Sequence, residues 1–459
     1  MFTYLKHDYL KRTNLILKLK KSTTIIVIAI GVMAISLAFY TTSEVAFTRS
    51  VDEGSYSQLN YLDLNLIGPA PMLDSTLANT AFDKDIQKFM DRWDIKGASV
   101  AVMNDNRLIY SKGYGLANIE TGEKANTKHL FRIASASKLV TAVSIMKMVD
   151  DGLLDLDENV FGPDGILSDF DTIKDASHEK IKVGHLLNHK GGWSWRDGDF
   201  MFQAAKIKRI MNLQGPPTED DIIEFVLKHR RLRYRPNTQY AYSNFGYMLL
   251  GKIIERKTGM SYERYVNEKI LEPSGIYGMR IGGNYEWERR PFEVHYYNHP
   301  GAYQFQSFDG NYESIEQPYG GSDITTLGAA GGWIASASQL VKIVSMVDPE
   351  NPYYQLLSEE SQELMVGGNS YKDAFGWKGA RGENWWRTGT LAGSACFIYR
   401  KDNGYTYAVI LNSSVWMGHR FNKYIKWMMD KSILHLEDSS SRNLFYQDGI
   451  QNNLLPLVN

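Results

Sequence analysis

The chain has 459 residues, enough for a sizeable core without metal or disulfide staples. Lys and Arg together number 51 against 52 for Asp and Glu, so no broad basic face is available to collect nucleic-acid phosphates. A single cysteine, Cys396, excludes an internal disulfide and any C-x-x-C metal or redox site.

At the N-terminus six cations (Lys6, Lys11, Arg12, Lys18, Lys20 and Lys21) precede an uncharged stretch of 22 residues, Ser22 to Ser43, with its apolar heart from Ile25 to Phe39. The positive-inside bias keeps the basic side cytoplasmic and sends everything after Glu44 to the periplasm or cell surface. The stretch is long enough to span a membrane as a retained anchor, while Ser36-Leu37-Ala38 also offers a small-x-small signal-peptide cleavage site. Residues 1–44 are therefore read as a basic segment plus signal anchor or signal peptide. Residues 45–75 form a linker, 76–435 the folded domain and 436–459 a peripheral tail.

Within the domain, Ala98 to Met103 and Leu108 to Tyr114 are short apolar runs separated by Asn104-Asp105-Asn106, a hairpin signal. Helical patterns follow: Ala136 to Asp151 closed by Gly152, Asp220 to Lys228 opened by Thr218, and Asn244 to Lys257 ended by Gly259. Late in the chain, Ala374 to Gly379, Asn384 to Thr388, Ser394 to Arg400 and Tyr405 to Asn412 read as strands, with Asp402-Asn403-Gly404 turning between the last two. A final helix covers Phe421 to His435. The layout predicts an α/β fold: one antiparallel sheet formed from both ends of the chain and flanked by helices, with a mostly helical region inserted between its halves.

The chemistry centres on Ser135-Ala136-Ser137-Lys138. At i and i+3 on a helix the two polar side chains share a face, so a nucleophile, a proton acceptor and an unpaired first-turn N–H lie within one turn. The spacing alone is weak, because Ser144-Ile145-Met146-Lys147 and Ser177-His178-Glu179-Lys180 repeat it. Only Ser135 follows an apolar lead, Leu130 to Ile133, and opens a long helix. Ser144 falls inside that helix, and Ser177 in a polar stretch of loop character. A second element, Tyr242-Ser243-Asn244, precedes another helix.

With these elements the chain resembles the class C β-lactamases and their relatives among penicillin-binding proteins, esterases, D-aminopeptidases and DD-carboxypeptidases, from about Phe82 to Asn412. That family carries Ser-x-x-Lys, then Tyr-x-Asn, then a Lys- or His-Thr-Gly strand. The resemblance implies Ser135 as nucleophile, Lys138 and Tyr242 as proton-handling partners, and Asn244 as a residue holding Lys138 and the substrate. It assigns the strand motif to Arg387-Thr388-Gly389, with Thr390 giving the second oxyanion N–H. The literal Lys257-Thr258-Gly259 ends a helix and is set aside, as are Tyr265-Val266-Asn267 and Tyr296-Tyr297-Asn298. Val183 to His189 with Gly191-Gly192, and Ala330 to Trp333 with Ser336, resemble further family segments. Arginine at 387 departs from the usual lysine or histidine. It stays charged and offers a planar fork that suits a substrate carboxylate.

Two proton routes remain open: Tyr242 as a phenolate favoured by Lys138 and Arg387, or a neutral Lys138 as acceptor with Tyr242 as relay. His185 and His189 at i, i+4 lack a completing carboxylate, so neither a metal nor a cofactor is expected. Trp193, Trp195, Trp385 and Trp386 are candidates for the cleft wall or for core or rim packing, and Cys396 for an inert core thiol. The expected function is an exported serine hydrolase acting through an acyl-enzyme on an ester, amide or D-amino-acid-containing peptide, such as cell-wall-derived material. The alternative is a non-hydrolytic penicillin-recognising binding or sensor protein. Expected partners are this substrate and, through the N-terminal segment, a membrane, with no nucleic acid.

Overall fold

A computed structural model describes residues 80–311, 314–352, 354–367, 374–436 and 443–445. The basic N-terminal segment, its apolar stretch, the linker and most of the C-terminal tail lie outside the described residues. Among the described residues no helix is long and apolar enough to cross a membrane.

The main sheet begins with β1 (Gly97–Asn104) and β2 (Arg107–Asn118). Asp105 and Asn106 turn between them at φ 48° and 59°, a left-handed pair that Asp and Asn tolerate better than other side chains. β2 runs past Tyr114 to Asn118. Gly113 and Gly115 hide this continuation in the sequence, yet a Cβ at Gly115 would stand 2.2 Å from the Lys96 carbonyl. After the short strands β3 (Glu123–Lys124), β4 (Phe131–Arg132), β5 (Arg280–Ile281) and β6 (Trp333–Ala335), the chain returns to the main sheet. There it adds β7 (Gly379–Arg381), β8 (Asn384–Leu391), β9 (Ser394–Arg400) and β10 (Tyr405–Leu411).

The seven-stranded sheet has the order β3-β2-β1-β10-β9-β8-β7, and its pairings are antiparallel. Its centre joins the two ends of the domain, with Ala98 opposite Leu411 and Asn104 opposite Tyr405. Alternation along the strands sends side chains to two cores. Val100, Val102, Val409 and Leu411 pack with Phe82, Ile86, Phe421 and Ile425 of the terminal helices α1 (Thr80–Trp93) and α6 (Asn422–Ser432) and the turn before α6. Ala101, Met103, Ala408 and Ile410 join a larger core under the inserted region. Cys396 belongs to this second core, where burial raises its thiol pKa far above the ordinary value.

That region contributes α2 (Ser137–Asp150), α3 (Glu219–His229), α4 (Asn244–Thr258) and α5 (Ala337–Met346), joined by long segments that include shorter helices. The ends match their local signals. Thr218 caps α3 by accepting from the Asp221 N–H, and Gly259 closes α4 at φ 67°. One expected strand is absent. Residues 374–377 do not pair, Lys378 makes one backbone bond to Trp386, and the edge strand starts only at Gly379. Gly376 takes φ 75°, and a Cβ there would lie 2.7 Å from the Ala142 methyl, so this stretch is a loop pressed onto α2.

Candidate active site

The small sheet β4-β6-β5 sets the backbone that carries Ser135. Ile133 donates to the Trp333 carbonyl at 3.0 Å, and the chain then turns through Ala134 at φ 49°, a left-handed conformation costing an alanine about 1 kcal/mol. Ser137 fixes this turn: its hydroxyl donates to the Ala134 carbonyl at 2.7 Å and accepts from the Trp333 N–H at 3.2 Å. Ser135 therefore sits half-buried on a 3-10 turn, Ala134–Ala136, immediately before α2 rather than in its first turn. β8 presses on the turn from one side. A Cβ at Gly389 would fall 2.0 Å from the Ile133 carbonyl, so only glycine allows this approach.

Lys138 is wholly buried in the first turn of α2. Its ammonium donates to Asn244 Oδ1 and to the Ala330 carbonyl, each at 2.5 Å. Asn244, the first residue of α4, in turn donates through Nδ2 to Asp199 Oδ2 at 2.5 Å. Asp199 has no signal in the sequence, since it lies in a polar loop and also caps a short 3-10 turn by accepting from Met201 N–H. Burial pushes the Lys138 pKa down and Arg387 adds to this, while Tyr242 and Asp199 oppose it.

Tyr242 precedes α4 on the other side of the serine, and its hydroxyl donates to Ser135 Oγ at 2.8 Å. The residue is 39% exposed, but the hydroxyl lies between two cations. Arg387 Nη2 donates to it at 3.3 Å, and the Lys138 ammonium stands 4.9 Å from the ring centroid. Burial would raise the phenol pKa, but the charges of Lys138 and Arg387, with its hydrogen bonds to Lys138 and Ser135, bring it down to about 8.

Arg387, on β8, is 1% exposed, so it is no surface ion-pair residue. Its Nε donates to the Ser135 carbonyl at 2.7 Å, which ties the strand to the serine turn. Two of its three guanidinium nitrogens thus face Ser135 and Tyr242 rather than open solvent. Thr388 and Thr390 line a pocket of about 250 Å³ together with Ser135, Tyr240 and Tyr242. Lys378, which sequence reasoning missed, also lines it and donates to Thr388 Oγ1 at 3.2 Å. It reaches the pocket because its backbone N–H bonds the Trp386 carbonyl beside β8, an adjacency that residue type alone does not reveal.

The structure thus brings Ser135, Lys138, Tyr242, Asn244 and Arg387 together, with Thr388, Gly389 and Thr390 along the neighbouring strand. Of the two readings of the tryptophans, packing holds and the pocket wall does not. Trp193 and Trp385 are buried in the core, the Trp386 ring covers Gly379, and Trp195 is exposed elsewhere. The rejected look-alikes sit apart from it: Lys257 pairs with Glu158, and Tyr296 is buried against Arg132.

Comparison with known proteins gives the same picture at the level of the family. A relative in Escherichia coli (strain K12), provisionally named a D-alanyl-D-alanine carboxypeptidase, is 29% identical over 222 residues, covering 45% of this chain and 49% of that protein. Penicillin-binding protein 4* of Bacillus subtilis (strain 168) is 28% identical over 201 residues, covering 44% and 40%. The chain thus spans about half or less of the length of these curated relatives. The D-amino acid amidase from Ochrobactrum anthropi SV3 shares the fold, with a TM-score of 0.59 at 22% identity over 79% of this chain and 99% of the other. A family model described as Beta-lactamase matches residues 82–426, from the first helix through the sheet and pocket to the last, and the chain belongs to the Beta-lactamase family.

Proposed function

We propose that this protein is a serine hydrolase working through an acyl-enzyme on Ser135. The observation that carries the reading is the 2.8 Å hydrogen bond between Tyr242 and Ser135 Oγ, with the phenol poised between two cations and held near a pKa of 8. About a tenth of such a phenol is ionised at pH 7, far more than at the ordinary value near 10. Tyr242 rather than Lys138 is the serine's direct proton acceptor, because the ammonium is turned to Asn244 and Ala330. The Ser135 proton passes to the phenolate, Oγ bonds to the substrate carbonyl carbon, and the oxyanion meets the N–H groups of Ser135 and Thr390. Collapse expels the alcohol or amine, which takes the proton from Tyr242. Water then releases the acid.

The substrate class is an ester, amide or D-amino-acid-containing peptide. Lys378 and Thr388 place a cation and a hydroxyl at one end of the pocket, which suits a carboxylate near the scissile bond. The names of the relatives, a D-alanyl-D-alanine carboxypeptidase and a D-amino acid amidase, support that class. The six N-terminal cations and the following uncharged stretch support export, with the segment kept as an anchor or cleaved.

The test is intact-mass spectrometry of the protein incubated with a nitrophenyl ester and with a fluorescent penicillin. Product release together with a transient adduct on Ser135, both lost in Ser135→Ala, is expected. A stable penicillin adduct without product would favour a penicillin-recognising binding protein, and product formation unaffected by Ser135→Ala would refute the mechanism.

A further inference from the structure

The segment His189 to Gly192 belongs to a sequence signpost that the chemistry above leaves unused. It follows a short helix, Val183–Leu187, and His189 takes φ 59° there, so the chain reverses beneath the loop leading to Tyr242. Backbone hydrogen bonds then join the two loops at intervals. Tyr234 N–H donates to the Gly192 carbonyl at 3.0 Å, and Asn237 N–H to the Lys190 carbonyl at 2.9 Å. His189 takes the last two positions. Its carbonyl accepts from Ala241 N–H at 2.9 Å, and its Nδ1 accepts from Ser243 N–H at 3.2 Å. These are the peptide groups on either side of Tyr242, whose ring lies 4.5 Å from the imidazole.

We propose that His189 is a positioning residue for Tyr242, gripping both flanking N–H groups and thereby fixing where the phenol meets Ser135. The assignment rests on the reading of Ser135 and Tyr242 as the acyl-transfer pair. The surroundings explain why an imidazole serves. Lys138 from α2 and Arg387 from β8 face it, with Tyr240 and Tyr242 from the loop and Tyr247 from α4. Burial and the two cations hold its pKa well below 6.5, so it stays neutral and Nδ1 remains an acceptor. An ammonium or guanidinium here would add a third cation and could accept nothing.

The test measures the rate at which a fluorophosphonate labels Ser135 in the full chain, from pH 6 to pH 10, in wild type, His189→Gly and His189→Asn. Glycine keeps the left-handed backbone but loses the acceptor. Asparagine tolerates φ 59° and restores an oxygen close to the Nδ1 position. Labelling at pH 7 is expected to fall about 10- to 100-fold in the glycine variant, with its pH limb moved upward because the phenol drifts from its cations. The asparagine variant is expected to recover to within about threefold with the limb restored. A merely structural role would lower the labelled amplitude and leave the limb in place. An unmoved limb in folded His189→Gly, or His189→Asn slowed tenfold or more, overturns the assignment while Ser135 labelling in wild type keeps the hydrolase reading. If the glycine variant does not fold, the asparagine variant decides alone. Absence of Ser135 labelling in wild type overturns both readings.

Discussion

The run of chain from Ser135 to Asp150 spells Ser-x-x-Lys twice, and the two copies meet opposite fates. Ser135 stands on a turn at a pocket with its hydroxyl against Tyr242, and Lys138 is buried with Asn244 and Ala330 as partners. Nine residues on, Ser144 is buried within the helix and donates back to the Val140 carbonyl at 2.9 Å, and Lys147 reaches toward solvent to pair with Asp151. The spacing is the same in both, with Ser135 on the turn before α2 and Ser144 in the helix interior. The difference lies in what the rest of the chain brings: a phenol from before α4, an amide at its first residue, and a guanidinium from β8. Reactivity is a property of that convergence and not of the four-residue spacing.

The comparison breaks most sharply at the phenol. Tyr242→Phe leaves the ring and its packing but removes the proposed proton acceptor, so ester hydrolysis is expected to fall about 10²–10⁴-fold with little change in melting temperature. Steady-state kinetics on a nitrophenyl ester checks this, and a loss below fivefold would return the role to Lys138. A smaller, pH-dependent effect is expected from Arg387→Met. Losing this cation lets the phenol rise from about 8 toward the ordinary tyrosine value near 10. The ionised form then appears only at higher pH, so the deficit in kcat/KM should be about tenfold or more at pH 7 and should shrink as pH approaches 10. A deficit constant across that range would mean that Arg387 acts only through its hydrogen bond to the Ser135 carbonyl. At the low end, Ser144→Ala with Lys147→Ala is expected to leave kcat/KM within twofold and stability within about 1 kcal/mol. Loss of activity there would dissolve the distinction between the copies.

The sequence made much of this legible, for identifiable reasons. Strands buried on two faces read as apolar runs, and helices announced their ends through Thr218 and Gly259. Arg387-Thr388-Gly389 was separable from Lys257-Thr258-Gly259 because one falls in a strand region and the other ends a helix. What stayed hidden depends on adjacency across hundreds of residues. Asp199 and Lys378 are ordinary charged residues until folding sets one against Asn244 and the other against Thr388. The loop at 374–378 misled because its apolar residues serve packing on α2 rather than strand pairing. The direction of the Lys138 ammonium was equally closed to inspection, since either proton route is compatible with the same residue types.

The pairing of β1 with β10 has a consequence for how the molecule comes into being. Its partners Asn104 and Tyr405 are separated by about 300 residues, a delay of roughly 15–60 s at ribosomal elongation rates of about 5–20 residues per second. Throughout that interval the central strand has one hydrogen-bonding edge without its mate, and such non-local closure is intrinsically slow. A nascent chain stopped before residue 405 would thus hold the serine, the lysine and the phenol and still lack the sheet that brings them into one place.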